Sequence, residues 1–180
     1  MAVNKAELQK EFADDFIRKI DRRFVHKAKD ENVVISDICR REDLGPDIYQ
    51  CFLTYDDQLP FFFEHYLDHV PGLLVIEAAR QMGTATVHKF YDVDFDTIFI
   101  LDVVNCSFTN FLECQEPVVI QIAIIAPNGP DRVRKAFSSV VTIFQHSESK
   151  GTIEFNCTCI PKKLFARMRR TAAACTGGGQ

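Results

Sequence analysis

A chain of 180 residues is long enough for one domain that buries roughly 70% of its unfolded surface without disulfide or metal staples. Its net charge of −4 and an apolar fraction of 47%, with 16 Phe and no Trp, describe an ordinary globular core and give no reason to expect nucleic acid as a partner. Residues 1–10 carry no charged-then-apolar leader, and seven cysteines are an odd number, so reduced thiols and a cytoplasmic location are expected.

In chain order, Leu8, Phe12, Phe16, Ile20 and Phe24 recur every four residues with Ile17 and Val25 beside them. This predicts an amphipathic helix over 5–25, packed on the domain. The β-branched run 33–38 predicts a strand, Asp43-Leu44-Gly45-Pro46 a turn, and 48–54 a second strand. Phe61-Phe62-Phe63 leads as extended chain into Glu64 and His65. A long helix follows over 71–91, with Pro71 in the first turn, where a missing N–H does no harm. Strands are predicted at 97–108, 118–125, 133–144 and 152–160, with turns at Pro127-Asn128-Gly129-Pro130 and around 147–151. A short basic helix, 164–170, precedes a tail, 171–180, that has little to pack and is expected to be disordered.

This order predicts an α+β hotdog fold, an antiparallel curved sheet wrapped around one long buried central helix, with an added N-terminal amphipathic helix. The expected domain plan is 1–30 for that helix, 31–170 for a single hotdog domain and 171–180 for the tail. The apolar run 70–87 is broken by Glu77 and Arg80, so no membrane span is expected.

The central helix is apolar on nearly every side, which marks it as buried. Glu77, with Arg80 and Gln81 three and four residues on, then Thr84 and His88, interrupts it along one stripe. A Glu and an Arg inside a core are costly unless they pair or meet a ligand. Two readings stand side by side: a satisfied ion pair that fixes packing, and a reactive site. Burial raises the Glu77 pKa while Arg80 lowers it, and the sequence leaves that balance open. At the helix start, the Gly72 N–H lies at the positive end of the dipole, where it would polarise a thioester or ketone oxygen.

Upstream, Glu64, His65, Asp68 and His69 form a polar cluster. One histidine, His69 or His65, is read as a pocket hydrogen-bond partner or proton carrier, and Asp68 as a helix cap. A metal pair would need His65 and His69 on one helical face, and the extended bias before Pro71 argues against that. The spaced pair Cys157 and Cys159 is read as packing rather than zinc. The candidate site is therefore Glu77, Arg80, His69 and His65 for chemistry and Gly72, Asp68, Gln81 and Thr84 for substrate contact, with no metal and no cofactor.

The string Asp68-His69-Val70-Pro71-Gly72, followed by Glu77-Ala78-Ala79-Arg80-Gln81, resembles the signature of the A-factor biosynthesis (AfsA-like) hotdog family. The likeness is sharp over roughly fifteen residues and looser over about 130. It implies transfer of a β-ketoacyl chain, carried as a thioester on acyl carrier protein, to a three-carbon phosphate alcohol, with activity carried by Glu77 and Arg80. The wider superfamily includes 3-hydroxyacyl-thioester dehydratases, which share a His, a Pro-Gly and an acid five residues beyond that Gly, the place of Glu77. Those dehydratases have an apolar residue where Arg80 stands, and their His lies further from the Pro-Gly than His65 does. Family members typically carry two hotdog units and this chain has room for one, so a homodimer is expected.

Three classes follow from this reading: an acyltransferase acting on a thioester of acyl carrier protein or CoA, a dehydratase or thioesterase, and a non-catalytic acyl-binding or structural dimer module. The basic stretch with Lys162, Lys163, Arg167, Arg169 and Arg170 is read either as a docking face for an acidic carrier protein or as a solvated face.

Overall fold

Alternation along the strands dictates the sheet. In 119–125, 137–145 and 151–155 every second residue is buried, and the aliphatic side chains among them point to one face. The computed structural model describes residues 18–56, 59, 61–65, 67–114, 116–125 and 135–176, with side chains up to 171. Its elements are β1 (Cys39–Arg40), β2 (Ile48–Phe52), α1 (Gly72–Phe90), β3 (Thr97–Phe108), β4 (Val119–Ile125), β5 (Lys135–Gln145), β6 (Glu148–Pro161) and α2 (Lys162–Thr176). All strands pair antiparallel in one six-stranded sheet of order β1-β2-β4-β5-β6-β3.

The register places Ile122 opposite Val141 and Val141 opposite Ile153, a row of three fully buried side chains across the sheet centre. Each such burial contributes about 1.5–3 kcal/mol. Helix α1 fills the concavity. Leu74, Val75, Ala78, Ala79, Met82 and Ala85 are wholly inaccessible, and a Cβ added at Gly83 would lie 3.7 Å from the Ile122 side chain. This is the hotdog arrangement expected from the element order. Among the described residues no helix is long and apolar enough to cross a membrane.

Several local expectations give way to tertiary packing. The predicted helix 5–25 lies outside the described residues up to 17. From Arg18 onward the chain makes a β-bridge between Lys19 and Ser36 and a turn over 22–26, with Ile20 and Val25 buried in the common core. The run 33–38 contributes isolated bridges rather than a strand, through Ile35 and Ser36. Phe61 and Phe62 lie in a turn held by the Leu59 carbonyl. The tail is helical as far as Thr176, because α2 continues past Arg170. The Pro127–Pro130 turn lies outside the described residues.

The hairpin joining β5 and β6 is tighter than 147–151. His146 and Ser147 both have positive φ, 55° and 63°, as a two-residue hairpin turn of this twist requires. Gly151 is then a strand residue. A Cβ there would stand 2.7 Å from the Ser107 carbonyl oxygen and 2.9 Å from the Phe108 ring, so glycine is needed where β6 passes close to β3.

A pair of histidines is one of the contacts that tie the N-terminal segment to α1. His88 Nδ1–H donates to the Val93 carbonyl at 2.6 Å, which leaves its Nε2 to accept from His26 Nε2–H at 2.9 Å. Phe95 stacks on His88, and Phe99 packs edge-on to both rings. Burial, and then the neighbouring His88, Lys162 and Arg80, depress the His26 pKa from 6.5 to about 4. Burial also lowers that of His88, against the opposing pull of the Val93 carbonyl.

Gly151→Ala should destabilise the fold by about 1–3 kcal/mol, read as a lower denaturation midpoint with an unchanged slope. An unchanged midpoint would mean that β3 and β6 separate freely. A second expectation concerns acid. The unfolded chain protonates both histidines more readily than the folded one, so their contribution to stability is lost as pH falls from about 6.5 toward 4. His26→Gln should show a smaller loss between pH 7 and pH 4.5 than the parent; an equal loss would exonerate the pair.

Candidate active site

Leu73, Ile76, Glu77 and Arg80 lie three and four apart, on one face of α1. That face walls a cleft of about 480 Å³. Leu101 of β3 and Phe155 of β6 form the sheet side, and Leu59, Phe61 and Phe62 come from the loop before α1. The polar part of the lining is concentrated where Glu77 and Arg80 meet Lys27 and Asn32 of the N-terminal segment.

Arg80 grips Glu77 with both prongs, Nε to Oε2 and Nη2 to Oε1, each at 2.8 Å. The i,i+3 spacing makes this geometry available within the helix itself. Lys27 adds a third contact, its Nζ 2.7 Å from Glu77 Oε1. Gln81, completely buried, adds a fourth from Nε2 at 2.9 Å. The same amide nitrogen donates to the Asn32 carbonyl at 2.8 Å, and Gln81 Oε1 accepts from the Val34 N–H at 3.0 Å.

The balance left open by the sequence is thereby decided. Burial raises the Glu77 carboxyl, but Arg80, Lys27 and Gln81 together outweigh it and hold the pKa at about 2. Glu77 is an anion throughout the physiological range. It is also partly accessible from the cleft, with 21% of its side chain exposed against 33% for Arg80 and 27% for Lys27.

The other candidate residues are placed differently. His65 and Asp68 are exposed, His69 is half-buried, and none of the three lines this cleft. Asp68 does not cap α1, whose N-cap residue Pro71 offers no side-chain bond. Its carboxylate instead bonds His69 Nδ1 at 2.9 Å, and that bond holds the Asp68 pKa below its usual range. His69 is further fixed by a bridge to Glu113. Thr84 is buried and returns its hydroxyl to the Arg80 carbonyl at 3.0 Å.

Gly72 is exposed at the helix start. A Cβ added there would touch the Phe108 ring, so this end of α1 lies against the end of β3. The Leu74 and Val75 N–H groups bond back to the Pro71 carbonyl, and among the described residues those of Gly72 and Leu73 have no backbone partner. Among the described residues no group of three His, Cys, Asp or Glu side chains converges as metal ligands would.

Sequence reasoning missed Lys27. It stands in an unremarkable His-Lys-Ala-Lys-Asp run, fifty positions before Glu77, and no local pattern points from one to the other.

Comparison with known proteins bears on the family and the fold. The 2-oxo-3-(phosphooxy)propyl 3-oxoalkanoate synthase of Streptomyces virginiae is 33% identical over 84 residues, which are 46% of this chain and 26% of that protein. The match thus spans about a quarter of that relative's length. Among solved structures, a dehydratase heterocomplex of Xenorhabdus doucetiae superposes with a TM-score of 0.58 at 17% identity, over 83% of this chain and 96% of that one. A Shewanella oneidensis protein described as a thioesterase gives a TM-score of 0.50 at 10% identity, over 87% and 96%. At such identities these two likenesses speak for the hotdog fold alone. Residues 8–161 match the A-factor biosynthesis hotdog domain, a span that takes in the whole sheet and the helix bearing Glu77 and Arg80, and the chain belongs to that family.

Proposed function

We propose that this protein moves a 3-oxoacyl chain from a thioester, on acyl carrier protein or CoA, to the hydroxyl of a small anionic acceptor, a phosphorylated three-carbon alcohol. The observation that carries the reading is a largely apolar cleft whose polar part is a carboxylate held by two cations. The Streptomyces virginiae relative is named for an ester of this kind, a 3-oxoalkanoate joined to a 2-oxo-3-(phosphooxy)propyl unit.

In this mechanism the acyl chain lies against Phe62, Leu73, Ile76, Leu101 and Phe155. The first-turn N–H groups of α1 steady the thioester oxygen as negative charge develops on it. Arg80 holds the acceptor anion with its planar fork. Glu77 takes the acceptor's hydroxyl proton as that oxygen attacks the carbonyl carbon. The carbon–sulfur bond then breaks, and the leaving thiolate recovers the proton from Glu77. Dehydration or thioester hydrolysis through Glu77 with His65 or His69 would need an imidazole beside the carboxylate, and neither histidine lines its cleft within one chain.

The proposal extends to a homodimer. Among the described residues β3 pairs only with β6, which leaves its outer edge open, and Leu101, Val103, Val104 and Phe108 along it are 40–48% exposed. Long apolar edges of this kind call for a partner strand. Joining two copies edge to edge would also wall the cleft beside Leu101 and beside Leu73, which is 64% exposed. The exposed Lys163, Arg167, Arg169 and Arg170 of α2 offer a positive face to an acidic carrier.

The deciding experiment incubates the purified protein with a 3-oxoacyl thioester, with and without a phosphorylated three-carbon alcohol. Ester formed only when the alcohol is present supports the reading; water loss, free acid or no change would each select another class. Glu77→Gln should lower turnover by about 10²-fold or more while the protein stays folded. Turnover within a few-fold of the parent would remove Glu77 as the base, and unfolding would return it to packing. Light scattering should give twice the 20.5 kDa chain mass at micromolar concentration, and a monomer there would defeat the dimer.

A further inference from the structure

Lys27 has no part in that mechanism, yet its ammonium touches the carboxylate at the centre of it. A structural ion pair has no need of it. Arg80 already engages both Glu77 oxygens, and Gln81 adds a further donor. Two cations from separate elements converge on one carboxylate in the cleft wall, a net charge of +1. Surplus positive charge facing a mainly apolar cleft is unfavourable until an anion enters. The position of Lys27 is also enforced: Val25 is fully buried, His26 has a φ of 56°, and the His26–His88 bond anchors the turn just before it.

We propose that Lys27 and Arg80 together form a two-cation subsite for a phosphomonoester, with Glu77 as the resident anion that keeps both facing the cleft until the phosphate arrives. The inference rests on the acyl-transfer reading and deepens it by assigning the acceptor's charged group to named side chains. A phosphomonoester carries between one and two negative charges at neutral pH and presents three acceptor oxygens. It therefore suits an ammonium and a guanidinium better than one shared carboxylate does. Once both cations turn to the phosphate, Glu77 keeps only Gln81, and burial then favours its protonation. The acceptor thus releases the base that acts on it. His26, which also lies in the field of Arg80, stays neutral in its bond to His88.

Calorimetric titration of the full chain, without acyl donor, tests the subsite directly. Glycerol 3-phosphate should bind and glycerol should not. Lys27→Met should weaken binding about tenfold or more, Lys27→Arg should stay within a few-fold, and Glu77→Gln should bind as tightly as the parent or tighter because the competing carboxylate is gone. Lys27→Met binding like the parent, glycerol 3-phosphate failing to bind the parent, or a folded Glu77→Gln losing tenfold would each overturn the proposal. If Glu77→Gln does not fold, the Met and Arg variants of Lys27 decide alone. Coenzyme A, which also bears a phosphomonoester, is the control: a Lys27→Met defect confined to it would overturn the acceptor assignment. Phosphate binding lost in Lys27→Met while no ester forms in any assay upholds the subsite and sinks the transfer reading. Ester formation undiminished in Lys27→Met does the reverse.

Discussion

The Gln81 amide is the joint on which this site turns. It is wholly buried, and its oxygen and both nitrogen hydrogens are engaged: with the Val34 N–H, the Asn32 carbonyl and the Glu77 carboxylate. A buried amide must find such partners or cost about 1–3 kcal/mol for each one missing. Satisfying it here docks the segment 32–34 against the middle of α1. The same bonds set the rotamer of Glu77 and lead the N-terminal segment past the helix, so backbone packing and carboxylate orientation become one constraint.

Around that joint the electrostatics are arranged for an anion rather than for a base at rest. An isolated carboxyl in this wall would titrate high. With a guanidinium fork, an ammonium and an amide on it, Glu77 is held at about 2, where proton affinity is too low for effective general-base work. A reactive role for Glu77 therefore depends on a ligand that draws the cations away. The ordinary ion-pair reading explains Arg80 but leaves Lys27 without a purpose, and the two-cation reading accounts for both.

The hotdog architecture positions these groups by geometry that has nothing to do with their chemistry. The sheet supplies a row of aliphatic side chains, Ile122, Val141 and Ile153, that fixes how deep α1 sits. The Ala-rich inner face of the helix lets it lie close. What α1 carries on its remaining face then points toward Leu59, Phe61 and Phe62 and toward the N-terminal segment. The cleft is the space left between those parts, bounded at one side by the open edge of β3.

What the sequence by itself determined is what repeats within a few residues. The Pro-Gly entry and the all-round apolar run located α1 to within one residue at each end, and a run rich in β-branched and aromatic residues located β3 at its observed limits, because each signal lies within a short stretch of the chain. The Glu77–Arg80 pair was legible for the same reason, since two charges three apart on a buried helix have each other within reach. Tertiary structure alone decided the rest. Gly151 reads as a turn glycine until the Ser107 carbonyl is seen 2.7 Å from where its Cβ would stand. The stripe is continuous in sequence, but packing turns Thr84 back onto the helix and gives His88 to His26. His65 and His69 sit beside the site in sequence but outside its cleft in space, and Lys27 is distant in sequence and in direct contact. Local spacing is a property of the chain; which distant residue meets Glu77 depends on how the N-terminal segment crosses α1, and only the packed core fixes that path.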